Sequence, residues 1–542
     1  MDREINLGSI RALEKQIQEH ERAIVQLKRA RNSLLNVSTL LPPEVLGNIF
    51  QWNVIPDGDF GGLSKGSYNF LLVCHHWFRV ASGTPGLWCF WGNSIQSWAH
   101  RHARCRAAPL DLVLIGREND RLDDTLRGVL QDRAAQDTIR RVHLKNGSAE
   151  LLDSIISCII TEGEEARSNN IESFMLRNTS GLSVDVSHFF SRYHFPKLQR
   201  LDLDGYSISP WDLLKSRTAS LTTLSLVTNN PPRPTLSQML SILSANPNLQ
   251  SLQLSHDSVP NVDSDWSSPR VRLRHLKNLH LGSNLPRVFG LANRLELPDK
   301  MDGLKLTMIG CSPSDLLQTL GPYLGNRVRR RSLGRLRLSV YRCDNYFSIH
   351  VGDPCEGDLT WANGFVTVEG SASATLGREE ADKLCFDIIA HIPLEEVVEV
   401  ITTLPILHSE KLCVQMCNLT RLHLVDADLS TWFVEPDACE PHVFKDLLCG
   451  LRFVTIANPS LSGGDWSPFT NFLAHRAAVG RRVSSLSLSS YPSYPRMSEG
   501  VVESIRRAVE VFEDGGVTTG VAMGVAMVPR YPPMDKWLRV RL

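Results

Sequence analysis

The chain has 542 residues, with 58 Lys and Arg against 58 Asp and Glu, so its formal charge is zero. That balance supplies no whole-protein attraction to nucleic acid or anionic membrane, and neither is expected as a partner. With 42% apolar and 21% charged residues the composition excludes a disordered or collagen-like chain, and the length fits either several domains or one elongated repeat domain with an appendage.

The first residues, MDREINLGSI, show no basic segment followed by an apolar one, so no secretory signal is read there. A cytoplasmic and/or nuclear location is expected, with reduced thiols, and the sequons at Asn36, Asn146, Asn178 and Asn418 are read as chance matches. From Ile10 the apolar residues Leu13, Ile17, Ile24, Leu27 and Leu34 follow a 3-4 spacing, interrupted by His20 and Arg31. This predicts an N-terminal amphipathic helix within 1–37, which as a short heptad run is expected to pack on its own chain rather than form a strong homodimeric coiled coil.

Leu40-Leu41-Pro42-Pro43-Glu44 opens a second helix, since Pro suits the first helical position and Glu the positive end of the dipole. Val45, Leu46, Ile49 and Phe50 continue it, and a Gly-rich polar loop follows over 56–67. A third helical run carries Leu72, Val73, Cys74, Trp77, Val80 and Ala81 and stops at Gly83-Thr84-Pro85-Gly86, before Leu87-Trp88.

These elements resemble the F-box family. Its pattern of Leu-Pro, an acidic residue, two aliphatics, Val-Cys-x-x-Trp and a final Leu-Trp is matched by Leu41-Pro42-Pro43-Glu44-Val45-Leu46, Ile49-Phe50, Leu72-Val73-Cys74-His75-His76-Trp77 and Leu87-Trp88. The chain departs from it at His75-His76, where basic residues are usual, and in the length of the inter-helix loop. The resemblance covers 38–92 and implies a small all-α module that binds a Skp-type adaptor. The adaptor-binding residues it implies are Leu41, Pro42, Glu44, Val45, Leu46, Ile49, Phe50, Leu72, Val73 and Trp77.

Beyond a linker over 93–104, a second rule governs residues 105–490: the repeat L-x-x-L-x-L. It recurs as Ile139/Val142/Leu144, Ile171/Phe174/Leu176, Leu198/Leu201/Leu203, Leu221/Leu224/Leu226, Leu249/Leu252/Leu254, Leu276/Leu279/Leu281, Met301/Leu304/Leu306, Leu333/Leu336/Leu338, Leu419/Leu422/Leu424, Leu451/Val454/Ile456 and Val483/Leu486/Leu488. Successive starts as far as Leu333 lie 23 to 32 residues apart, the spacing of long leucine-rich repeats with a strand and a helix per unit. Helical spacing recurs at Leu151 to Ile160, Leu236 to Leu243 and Leu316 to Leu324. The Asn that should bond the turn after each strand falls in register only at Asn229 and Asn284. Over 340–415 the register is lost, and the stretch reads either as a strand-rich insertion followed by helix or as worn repeats. Residues 491–542 form a C-terminal cap and tail. The expected fold class is therefore α/β: a helix, a small all-α F-box module, and an irregular leucine-rich-repeat solenoid with a parallel sheet.

Catalytic and metal motifs find no supporting context. Gly62-Leu63-Ser64-Lys65-Gly66 matches a nucleophile elbow without the strand that must precede it, and reads as a flexible loop. The twelve Cys contain no C-x-x-C pair, and the groupings Cys413, Cys417, His423 and His100, His102, Cys105 lack metal-ligand spacing. No metal, cofactor or enzymatic activity is expected. One basic run, from Arg327 to Arg337, stands out, and strand alternation would turn Arg335 and Arg337 outward from Leu336 and Leu338, as candidate target-binding residues. The resemblance, which extends to the expanded families of mushroom-forming fungi, implies a substrate-recognition subunit of an SCF-type ubiquitin ligase. Its box would bind the Skp-type adaptor and through it a cullin scaffold, while the repeats hold a protein target. The alternative is a non-ligase protein-binding repeat scaffold with a relic F-box.

Overall fold

In a computed structural model of the chain, each of these leucine triplets carries a strand on its second and third members. Described are residues 2–35, 41–54, 69–92, 104–105, 108–116, 124–160, 170–180, 183–218, 220–228, 232–261, 269–311, 313–331, 336–343, 346–352, 364–372, 378–404, 410–425, 448–457, 466–489 and 498–514. The architecture is mixed α/β, with extensive, mostly parallel strand pairing. Two compact units divide the chain, Met1–Leu221 and Thr222–Leu542.

The first unit begins with helix α1 (Asp2–Leu35). Its apolar stripe does not pack on its own chain as expected: Ile10, Leu13, Ile17, Ile24 and Leu27 are 48% to 70% exposed. Next come α2 (Pro43–Val54), a 3-10 turn over Asn69–Leu72, α3 (His75–Ser82) and a second 3-10 turn over Pro85–Trp88. Five strands then pair in parallel in chain order: β1 (Phe90–Gly92), β2 (Leu110–Ile115), β3 (Ile139–Lys145), β4 (Ser173–Arg177) and β5 (Arg200–Asp204). Register aligns Leu112, Val142, Phe174 and Leu201 in one row and Leu114, Leu144, Leu176 and Leu203 in the next. All eight are buried, each side chain contributing about 2 kcal/mol of hydrophobic stabilisation.

In the second unit β6 (Thr223–Thr228), β7 (Ser251–His256), β8 (Asn278–Ser283) and β9 (Gly303–Cys311) continue this rule, with Leu224, Leu252, Leu279 and Leu304 in register. The stretch that loses the triplets combines both expected forms: antiparallel strands followed by a helix, and then, over Val397–Thr402, a worn repeat strand in the parallel ladder. Strands β10 (Leu336–Cys343), β11 (Tyr346–Gly352) and β12 (Gly364–Ala372) pair antiparallel, and the helix Arg378–Ile389 follows. β12 joins β9 in parallel and β10 joins β13 (Val397–Thr402) in parallel, so the ladder enters and leaves the insertion without changing direction. It then runs through β14 (Arg421–Val425), β15 (Phe453–Ala457), β16 (Val483–Ser489) and β17 (Val509–Asp514). Among the described residues strand pairing thus begins at Phe90, within the expected F-box range, and ends at Asp514, within the expected tail.

In several triplets the first leucine closes the turn before its strand. The amides of Leu249, Leu276, Leu419 and Leu451 each donate to the carbonyl three residues earlier. The next two amides then share one carbonyl of the preceding unit: Gln250 and Ser251 on Thr222, Lys277 and Asn278 on Gln250, Arg452 and Phe453 on Thr420. Backbone groups that leave the strand are thereby satisfied without water.

Asparagines one position earlier than the expected register do part of the same work. Asn146, with φ +57°, accepts at Oδ1 from the amide and hydroxyl of Thr179 at 2.8 and 2.9 Å. Asn284 instead caps the helix Leu285–Ala292, accepting from the Arg287 amide at 3.3 Å. Asn229 lies outside the described residues. Ser258 takes an equivalent place, donating to the Leu226 carbonyl at 2.6 Å.

Candidate protein-binding surfaces

The module formed by α2, α3 and the two 3-10 turns has a complete core of its own. Phe50 stacks on Phe70 with centroids 4.5 Å apart and meets Trp77 at 5.0 Å. Leu46, Ala81, Leu87, Trp88 and Trp91 are buried with them. Two of the indoles are satisfied: Trp88 Nε1 donates to Ala81 O and Trp91 Nε1 to Trp88 O, both at 3.0 Å, whereas Trp77 Nε1 is buried with no hydrogen-bond partner among the described residues. Cys74 Sγ caps α3 by accepting from the Trp77 amide, and Thr84 Oγ1 returns to Val80 O at 2.8 Å. Gly47 in α2 lies so close to Thr84 that an added Cβ would sit 3.0 Å from its hydroxyl, which explains a small residue at this crossing.

A second set of apolar side chains points away from that core. Val45, Ile49 and Trp52 follow an i, i+4, i+7 spacing along α2 and are 43%, 47% and 80% exposed. Leu72, Val73 and Phe78 are exposed on the 3-10 turn, beyond it and on α3, Leu72 by 85%. The expected adaptor-binding residues therefore split. Val45, Ile49, Leu72 and Val73, with exposed Pro42 and Glu44 and half-buried Leu41, are accessible, whereas Leu46 and Phe50 are core and half-buried Trp77 packs at a tilt against Phe50. Trp52 and Phe78 were missed by the motif, although the α2 spacing was available to find Trp52.

The polar side of the second unit's sheet is the other candidate. Arg337 does not face solvent as expected. It is 7% exposed, and its Nε lies 2.7 Å from Oε2 of Glu399, the residue opposite it on β13. His423, next along on β14, reaches Glu399 Oε1 from Nε2 at 3.0 Å. Burial works to raise the Glu399 carboxyl, but hydrogen bonds from His423 and Arg337 and the neighbouring positive charge outweigh it and hold the group below its ordinary value. Arg335 lies outside the described residues.

A related network crosses β8, β9, β12 and β11. Lys305 Nζ meets Glu369 Oε1 at 2.8 Å, and Thr307 Oγ1 donates to Glu369 Oε2 at 3.2 Å. His280 Nε2 lies 3.2 Å from the Thr307 hydroxyl, and His350 lies between Ser348 at 2.6 Å and Thr367 at 2.9 Å. Burial lowers both imidazoles to about 4, with Lys305 adding to the effect and Glu369 opposing it. These networks pair several polar groups of adjacent strands with one another, although His423 Nδ1 is buried with no hydrogen-bond partner among the described residues.

Of the remaining candidates, only some lie among the described residues. Cys413 is buried, and burial alone pushes its thiol up to about 12, whereas a metal ligand must be a thiolate. Cys417 is exposed and His423 is engaged by Glu399. Cys105 is buried, while His100, His102 and the 62–66 segment lie outside the described residues. Among the described residues no group of three or more His, Cys, Asp or Glu could hold a metal ion. No helix among them is long and apolar enough to cross a membrane.

The chain matches no protein-family model and no curated protein. The functional reading accordingly rests on the two surfaces themselves.

Proposed function

We propose that this chain is a substrate-recognition subunit of an SCF-type ubiquitin ligase. In this reading residues 38–92 are an F-box module that docks on a Skp-type adaptor and through it on a cullin scaffold. The parallel ladder is a leucine-rich-repeat solenoid that holds a protein target. The chain catalyses nothing itself; it holds the target beside a separately recruited conjugating enzyme, so that an encounter becomes a tethered, near-unimolecular event.

The observation that carries the reading is the pair of apolar sets on one small helical module. Phe50, Phe70, Trp77 and Trp88 fill its core, yet Val45, Ile49, Trp52, Leu72, Val73 and Phe78 remain exposed. So many large apolar side chains on so short a segment are unfavourable in water unless a partner covers them. Their order in the chain is also that of the F-box elements.

The test is co-purification of the full chain with the Skp-type adaptor and cullin. Capture is expected, and Ala at both Leu41 and Pro42 should weaken it by at least about thirtyfold, or ~2 kcal/mol, if these are hot spots. Failure of the folded wild-type chain to retain the adaptor would refute the proposal.

A further inference from the structure

Helix α1 presents an apolar stripe that stays exposed, and its charges are unevenly divided along its length. Ile10, Leu13, Ile17, Ile24 and Leu27 are all 48% to 70% exposed. Glu14, Glu19 and Glu21 with Arg11 and Lys15 occupy the first half of the striped segment, and Arg22, Lys28, Arg29 and Arg31, with no acidic residue, the second. In heptad terms Ile10, Ile17, Ile24 and Arg31 fall at a, and Leu13, His20 and Leu27 at d.

We propose that α1 pairs antiparallel with α1 of a second copy of this chain, making the protein a dimer. The alternative, a parallel pair in register, would place Arg31 against Arg31 and His20 against His20 at the seam. Like charges there are repulsive, and neither side chain would meet an apolar partner. Reversing one helix and centring the overlap on the stripe removes both conflicts. Ile17 then faces Leu27 of the second copy, His20 faces Ile24, and Arg31 faces Leu13 with Glu14 beside it.

The flanking positions agree. Glu14 and Lys28 lie at e, and in the antiparallel register they face each other twice, once on each side of the two-fold axis. In a parallel pair each would instead face a g position, where Gln16, Ala23 and Ala30 offer no charge. One feature opposes the antiparallel arrangement: Glu21 meets its own copy at the axis. This proposal does not depend on adaptor binding and goes beyond it, since a dimer would present two target-holding surfaces.

Sedimentation velocity of the full chain over a range of concentrations tests it. A dimer whose population rises with concentration is expected, and Ile17→Asp with Leu27→Asp should leave a folded monomer. Lys28→Glu should weaken the dimer by about tenfold, because two attractive pairs become repulsive, and adding Glu14→Lys should restore it. Glu21→Gln should tighten it. A monomeric wild type, a dimer indifferent to the Ile17 and Leu27 substitutions, or a loss in Lys28→Glu that Glu14→Lys does not repair would each overturn the proposal.

Discussion

Arg337 and Glu399 illustrate how one contact can decide between a structural and a recognition role. Both are buried, with Nε 2.7 Å from Oε2, so removing one partner strands a charge in a poorly solvated place. Arg337→Ala is expected to cost about 3 to 5 kcal/mol in denaturant unfolding, whereas Arg337→Met together with Glu399→Leu should cost much less. If both variants instead unfold like wild type, the pair holds nothing together. The two buried imidazoles give a pH signature of their own. His280 and His350 are lowered from 6.5 to about 4, so both are neutral in the folded chain at pH 7. As pH falls from about 6.5 to about 4, the unfolded chain takes up protons that the folded chain resists, and stability drops; below that range both states are protonated and the loss stops growing. The effect is on the order of 2 kcal/mol per residue after allowing for partial solvent contact. Comparing urea midpoints at pH 7.5 and 5 should show a smaller fall in the His280→Gln and His350→Gln variants that remain folded than in wild type.

At the scale of the helix, α2 has to satisfy two surfaces at once. Leu46 and Phe50 point into the module and Val45 and Ile49 out of it, about a quarter turn apart. If the module docks on the adaptor as proposed, Ile49→Asp combined with Leu72→Asp should abolish adaptor capture while leaving the thermal unfolding midpoint near wild type. Phe50→Ala should cost about 3 to 5 kcal/mol by removing the stack with Phe70 and the tilted contact with Trp77, and lose capture only through unfolding. Equal destabilisation by both would contradict this division. The sequence could not make the distinction, because both faces are apolar and periodicity shows only that a face avoids water. It was more informative where residue type and spacing act together, as in the leucine triplets that mark their strands. Strands β13 and β17 escape the triplet pattern because Val400 and Thr402 align with Leu422 and Leu424, and Val509, Phe512 and Asp514 with Val483, Leu486 and Leu488, so the leucines are replaced. The burial of Arg337 was likewise invisible, since Glu399 lies far away in sequence and alternation alone says only that Arg337 points away from Leu336 and Leu338.

At the scale of the whole chain, the physical question is whether the second unit behaves as one cooperative body or as stacked neighbours. Each strand from β6 to β9 is paired only with the strands beside it, and their leucines meet in rows such as Leu224, Leu252, Leu279 and Leu304. If the ladder is a solenoid, its stability is a sum of local terms and interfaces between adjacent units, so damage should fade with distance along the ladder. Leu224 is 1% exposed, and Leu224→Asp would bury a carboxylate among apolar side chains at a cost of several kcal/mol, on the order of the largest single-residue effects. Hydrogen exchange followed by mass spectrometry can map the response. Protection is expected to collapse over 223–228 and 251–256, weaken through 278–283, and stay native over 421–425 and 453–457. Uniform loss across all of these strands would show one global unfolding unit and remove the energetic basis for a solenoid.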